Sequence, residues 1–211
     1  MNLLGHAFVA LAGGGSGGDD EPDPDFVLGA LLPDLASMAR VRVDRAQLAP
    51  SIEQGVVCHL RTDTVFHTLP AFVEGSGQIR RAVLERGLSR GAARAVGHVG
   101  WELLLDGTLV GSDAEAAFHD ALDRADSATA GVDRPERWTR LLGFRPQLKQ
   151  LRYDDPAWVA ERLERIFHDR PFLRFEPSQL PAVTDVLTSH VGAVVAAADD
   201  VLAATQTAVH A

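Results

Sequence analysis

GVVCHLRTDTVFH, residues 55–67, sets three potential metal ligands, His59, Asp63 and His67, four residues apart. VGHVGWELLLDG, residues 96–107, repeats the spacing with His98, Glu102 and Asp106. In an α-helix, positions i, i+4 and i+8 drift by only ~40° per step, so each trio forms a stripe along one face. Around the stripes lie Val56, Val57, Leu60, Val65 and Phe66, then Val99, Trp101, Leu103, Leu104 and Leu105, which predict deeply packed helices. Imidazole and carboxylate groups in such surroundings are costly to bury without a compensating charge. Two facing stripes of this kind predict a cage for one or two divalent cations.

Outward from these segments the periodicity stays helical. Residues 2–12 predict a short apolar helix, and FVLGALLPDL at 26–35 an apolar segment ending at Pro33-Asp34. The stretch at 13–25 reads as a flexible loop without the Gly-Lys-Ser/Thr ending of a phosphate-binding loop. The first stripe helix is expected from about Ser51 to Thr68, ahead of Pro70, and the second from Ser89 to about Val110. Gly75-Ser76-Gly77 is expected to break the chain before a basic helix over roughly 78–87. Ser112 with Glu115 has the capping-box spacing, and Asp155-Pro156 and Ser178 mark two further helix starts. Alternating β-branched runs and repeats are absent. The prediction is an all-α, irregular helical bundle in a single domain, with a metal-site core in residues 1–110 and a helical tail, 111–211, packed on it.

Composition bounds the function. At 211 residues, 46% hydrophobic and 23% charged, the chain suits one ordinary globular domain. No run approaches eighteen uninterrupted apolar residues, so no membrane span is expected. The opening MNLLGHAFVALAGGG resembles a signal peptide but lacks a basic leading region, and His6 interrupts it. The single cysteine, Cys58, excludes an internal disulfide framework and suggests a cytoplasmic location. A net charge of -9 argues against nucleic acid as the main partner. Acidic residues crowd 19–25, while Arg80, Arg81, Arg86, Arg90 and Arg94 cluster with only Glu85 to offset them.

Each candidate has an ordinary alternative. A lone histidine on an apolar face is usually a core residue with a satisfied hydrogen bond, and an arginine cluster is usually a solvated face. Six candidate ligands in two regular stripes, joined by His6 and Asp34 in short apolar segments, favour a metal site. His119-Asp120 and His168-Asp169 read as decoys, the first in a charged helix and the second at a helix end before Pro171. Cys58 and His59 are sequence neighbours and point apart on a helix, which argues against a cysteine nucleophile. No Gly-x-Ser-x-Gly or Ser-x-x-Lys motif supports serine chemistry.

The opening Met1-Asn2-Leu3-Leu4-Gly5-His6 resembles the Met-Asn-aromatic-Leu-Ala-His start of the acyl carrier protein phosphodiesterase family, distant relatives of the HD phosphohydrolases. Residues 26–34 are similar to its Gly-Asn-x-x-Ala-Asp segment, with Asp34 at the acidic position. Gly55-x-x-x-His59-Leu60-Arg61-Thr62-Asp63 resembles its Gly-x-x-x-His-Arg-x-Ile-Asp helix, and Leu69-Pro70 falls where the family often has Leu-Pro. Glu102 and Asp106 match its Asp-x-x-x-Asp-His helix by spacing. The resemblance covers roughly residues 1–110. This chain departs from it at Ala30, Leu60, Glu102 and Gly107, has a longer 13–25 loop, and adds His67 and His98. The extra histidines suit softer metals and bring a second resemblance, to the zinc-dependent phospholipase C-like helical hydrolases.

These resemblances imply an HD-domain-like fold and metal-assisted hydrolysis of a phosphoester. Asp34, His59, Asp63, Glu102 and Asp106 are the expected ligands of one or two ions of Mn, Mg, Zn or Fe. His6, His67 and His98 are expected as further ligands or as the general acid, and Arg61 as a clamp on a phosphate oxygen. The family substrate is an acyl carrier protein, cleaved to its apo form and 4′-phosphopantetheine. Arg81, Arg86 and Arg90, extended by Arg40, Arg42 and Arg45, are the expected docking surface for that acidic partner. Alternatives are a small phosphoester substrate, a metal- or ligand-binding protein without turnover, and a di-iron oxygen-using enzyme, although the Glu-x-x-His spacing of that last class is missing.

Overall fold

Proline opens helix after helix. In the computed structural model, which describes residues 1–13 and 23–211, α1 spans Leu3–Leu11. Four further helices then follow: α2 Pro24–Ala39, α3 Pro50–Phe66, α4 Pro70–Glu85 and α5 Arg90–Gly107. After them come α6 Asp113–Asp123, α7 Pro135–Leu142, the short α8 Arg145–Leu148, α9 Pro156–Phe167 and α10 Leu180–His210. At the first helical positions proline's missing N–H costs nothing and its fixed φ is already helical. Side-chain caps complete several starts: Asp23 accepts from the Asp25 N–H, Ser89 from Ala92, and Asp155 from Ala157 and Trp158. Among the described residues there is no β-strand, only an isolated bridge between Val43 and Val132. The chain is an all-α, irregular bundle.

α1 is the middle of the core. Leu3, Leu4, His6, Ala7, Val9 and Ala10 are all buried, and the helix packs against α2, α3, α5, α6 and α10. The tightest crossing is α2 on α3. A Cβ on Gly55 would lie 2.1 Å from the Phe26 carbonyl, and one on Gly29 2.0 Å from that of Ile52. Only glycine permits this backbone approach, and the approach sets the distance between α2's carbonyls and α3's side chains. The buried set runs through both halves of the sequence. The tail is therefore part of the core, and α9 and α10 pack on α5 and on one another.

Two local expectations change. Gly75-Ser76-Gly77 does not break the chain; α4 continues through it from Pro70 to Glu85. A side chain at Gly75 would meet Trp101 Nε1 at 2.2 Å, so that glycine serves close packing of α4 on α5. Ser112 caps α6 by accepting from the Ala114 N–H, but Glu115 accepts from Gly111 and does not close a box on Ser112. The loop expected at 13–25 falls mostly on residues 14–22, outside the described residues, while Asp23 already caps α2. α10 carries a window of mean hydropathy 1.4, long and apolar enough by composition to cross a membrane. In this fold its face bearing Val183, Val186, Leu187, Val194, Val201 and Leu202 is buried against the bundle.

Candidate metal centre

His59, Asp63 and His67 all face the interior between α1, α2 and α5, but the drift along the stripe spreads them over two neighbouring clusters. His59 joins His6 and Asp34 in the first; His67 joins His98 and Glu102 in the second. Asp63 stands between them. Its Oδ1 is 3.4 Å from His6 Nε2 and its Oδ2 is 3.5 Å from His59 Nε2.

The first cluster is built by the α2–α3 crossing. The close backbone approach lets His59 Nδ1 bond the Ala30 carbonyl at 2.8 Å, so Nδ1 carries the hydrogen and Nε2 presents its lone pair to the cluster. The His6 ring stacks on that of His59 at 3.9 Å. His6 is buried, and its Nε2 lies 3.4 Å from Asp63 Oδ1 and 3.9 Å from Asp34 Oδ2, but neither its ring nitrogens nor Asp34 Oδ2 makes a hydrogen bond of good geometry among the described residues. Buried polar atoms are almost always satisfied, so unbonded atoms on adjacent side chains are what a bound ligand at this position would satisfy. Burial pulls the His6 pKa down to about 3, which keeps the ring uncharged and able to donate a lone pair. Burial pushes the Asp34 carboxyl up to about 6.

In the second cluster the donors converge on one atom. Glu102 Oε1 lies 3.0 Å from His67 Nε2 and 3.2 Å from His98 Nε2. Phe72 supports both rings, with centroids 5.2 Å from His67 and 5.1 Å from His98. The Met1 α-ammonium completes the arrangement, 3.0 Å from Asp63 Oδ1, 3.1 Å from Glu102 Oε1 and 3.4 Å from His67 Nε2. It supplies between the two clusters the positive charge that a metal ion would bring. Burial opposes ionisation of Glu102, but the ammonium and the two histidines hold its carboxyl well below the usual carboxylate range. Asp63 is likewise held low against burial, by His59, His6 and the ammonium. Burial alone would lower His59, but its contact with Asp63 and the charge of Asp34 leave it raised. Nitrogen donors mixed with ionised carboxylates fit Zn, Fe or Mn.

Asp106 is not in this set. Fully buried, it accepts the Leu4 N–H on Oδ2 and the Gly5 N–H on Oδ1, both at 2.9 Å. It thus satisfies the first turn of α1, whose N-cap residue Asn2 offers no side-chain cap. Two steps along its stripe, the drift has carried Asp106 past the clusters to α1. Gly107, where the resembled family has histidine, leaves room for the chain at Tyr153: a Cβ there would sit 2.4 Å from the Tyr153 carbonyl.

The arginines also fall elsewhere. Arg61 is exposed and lines a depression with Val209 and His210, because it lies two residues, about 200°, from His59 on the helix. Arg81, Arg86 and Arg90 are exposed toward the α4–α5 turn, and Arg86 pairs with Asp185 at 3.6 Å. Arg90 precedes His98 by eight residues, about 12 Å of helix. Arg40 pairs with Asp169, and Arg45 with Glu53. His119 lies near the Lys149 carbonyl and Glu115, and His168 is exposed beside Glu164, both remote in contact from the clusters. Burial raises the Cys58 thiol, against a nucleophilic role. The groups missed in the sequence were the Met1 ammonium, which no periodicity reveals, and the cleft residues Tyr153, Arg162, Arg165 and Arg170. The i, i+3 spacing of Arg162 and Arg165 was their only signal. Set against models of known protein families, curated proteins and solved structures, the chain matches none of them.

Proposed function

We propose that the chain is a metal-dependent phosphoesterase with an HD-like arrangement of ligands. The observation that carries this reading is the gathering of His6, Asp34 and His59 in one cluster and His67, His98 and Glu102 in a neighbouring one, with Asp63 between them and His6 and Asp34 left without hydrogen-bond partners. His6, Asp34 and His59 would hold one ion, His67, His98 and Glu102 a second, and Asp63 lies between them. A divalent ion bound there supplies Lewis acidity to a phosphoryl oxygen and lowers the pKa of water.

The remaining chemistry belongs to the chain. Asp63 and Glu102 stay ionised near neutral pH and hold positive charge in the site. His59 is locked in one tautomer by Ala30. His67 and His98, each partly exposed at the edge of the second cluster, would be ligands when that cluster holds an ion; with an ion at the first cluster alone, their Nε2 atoms are free to pass a proton to a leaving oxygen. The carrier-protein phosphodiester is the substrate suggested by the sequence resemblance. A smaller phosphoester needs no docking surface and suits a cleft of about 280 Å³ beside Asp34 and Glu102.

The test is metal content together with hydrolysis of bis(p-nitrophenyl) phosphate after loading with Mn²⁺ or Zn²⁺. The wild type should retain about one or two equivalents per chain and turn over. Asp63→Ala should lose both properties while keeping its helical circular dichroism. A wild type that holds no divalent ion after loading refutes the reading.

A further inference from the structure

The cleft beside the metal centre has an acidic wall and a basic one that do not touch. Asp34 and Glu102 form the first, and Arg162, Arg165 and Arg170 lie on the other with Tyr153. Arg162, on α9, is partly buried, and its Nε is shielded from solvent with no hydrogen-bond partner. Asp34 Oδ2 is unpartnered in the same cleft. Among the described residues no carboxylate lies within ion-pair distance of Arg162 or Arg170, whereas Arg165 pairs with Glu161 at 3.6 Å and lies over the Trp158 ring.

Arg162 Nε and Asp34 Oδ2, each without a hydrogen bond and sharing a cleft without pairing, are placed for a ligand that spans them. A phosphoryl group on a metal ion is such a ligand. Its charge would be met by an ion held at Asp34 or at Glu102, while its free oxygens would need donors on the far side. A guanidinium offers two parallel N–H groups to those oxygens, which lysine cannot. Burial pushes the Tyr153 hydroxyl above its ordinary value, so it remains a hydrogen-bond donor beside Arg162.

We propose that the wall formed by α9 and the turn after it is the phosphoryl-binding subsite, with Arg162 as its central donor and Arg165 and Arg170 at its rim. This rests on the phosphoesterase reading for its role in turnover. Binding of an oxyanion by the wall is a separate property and is measured separately.

The probe is inorganic phosphate, followed by equilibrium dialysis of ³²P-labelled phosphate against the full chain with and without Mn²⁺, alongside Mn²⁺ content. Arg162→Gln should weaken phosphate binding roughly 10-fold or more, as expected for loss of a charge-assisted pair. Arg170→Gln should weaken it by a smaller factor, and Arg86→Gln should leave it unchanged, all three with wild-type Mn²⁺ content. If Arg162→Gln loses its helical signal, Arg162→Lys and the exposed Arg170→Gln carry the comparison. No phosphate binding by the wild type in either condition overturns the proposal, as does binding that both Arg162 and Arg170 variants keep within about twofold. Arginine-dependent phosphate binding by a chain that takes up no metal supports the subsite and refutes the phosphoesterase reading instead.

Discussion

Replacing Asp106 by asparagine should change the pH dependence of stability and leave the metal site filled. The carboxyl is fully buried and pushed up to about 7 by that burial, with Glu102 adding to the shift and the Leu4 and Gly5 N–H groups and the ammonium opposing it. Its value in the unfolded chain is near 3.8. Between those values the folded protein holds a proton that the unfolded chain has released, so this group's contribution to stability falls as pH rises. From pH 5 to pH 7, where the folded group becomes half deprotonated, that sums to about 2 kcal/mol. The asparagine variant lacks this titration. It keeps one carbonyl acceptor for the α1 N–H groups and turns an amide against the other, at a cost of about 1–3 kcal/mol. Urea unfolding at both pH values should show the variant less stable than wild type at pH 5, with the difference shifted in the variant's favour by about 2 kcal/mol at pH 7. Metal content should match wild type. A stability gap that does not change with pH, or a variant stripped of metal, refutes the assignment of Asp106 to α1.

Two further outcomes follow from the packing and the surface. Gly55→Ala should lower stability by about 2–3 kcal/mol in urea unfolding and weaken metal retention, since its Cβ would press 2.1 Å from the Phe26 carbonyl and part His59 from Ala30. Gly77→Ala, where a Cβ meets only the Arg81 side chain at 3.5 Å, should instead be neutral or stabilising by up to about 1 kcal/mol. Reversing Arg81 and Arg86 to Glu should leave metal content and hydrolysis of a small phosphodiester within about twofold, because only an exposed pair with Asp185 is lost. A large rise in KM for an acidic carrier protein in that variant would instead make the α4–α5 turn a docking face.

The stripes were legible because a period of four on an apolar helix has few other physical causes. The fold class was legible for a related reason: the polar positions, prolines and caps all agreed on helix. What periodicity could not supply was how far the ~40° drift would carry each residue before a neighbouring helix met it. That drift divides α3's trio between two clusters and delivers Asp106 to α1. Gly75-Ser76-Gly77 misled because glycine weakens a helix by propensity, whereas here Trp101 occupies the space that a side chain would need. The arginine cluster drew attention by density alone. The arginines that reach the cleft come from α9 and the turn just after it, brought there by contacts between α5 and α9 that sequence spacing does not encode.

His6 is delivered by a helix of nine residues, below the length at which an isolated helix persists in water. α1 therefore exists only while docked, held by Asp106 at its start and by apolar contacts along its length. Were an ion bound at His6 as proposed, ligation and docking would be a single equilibrium. An ion that draws on His6 also tightens the central helix of the core, and at a concentration a hundred times its Kd it would add about 2.7 kcal/mol to the folded state. Under the proposed metal binding, a chelator would act as a mild denaturant, and thermal stability would be a gauge of metal occupancy.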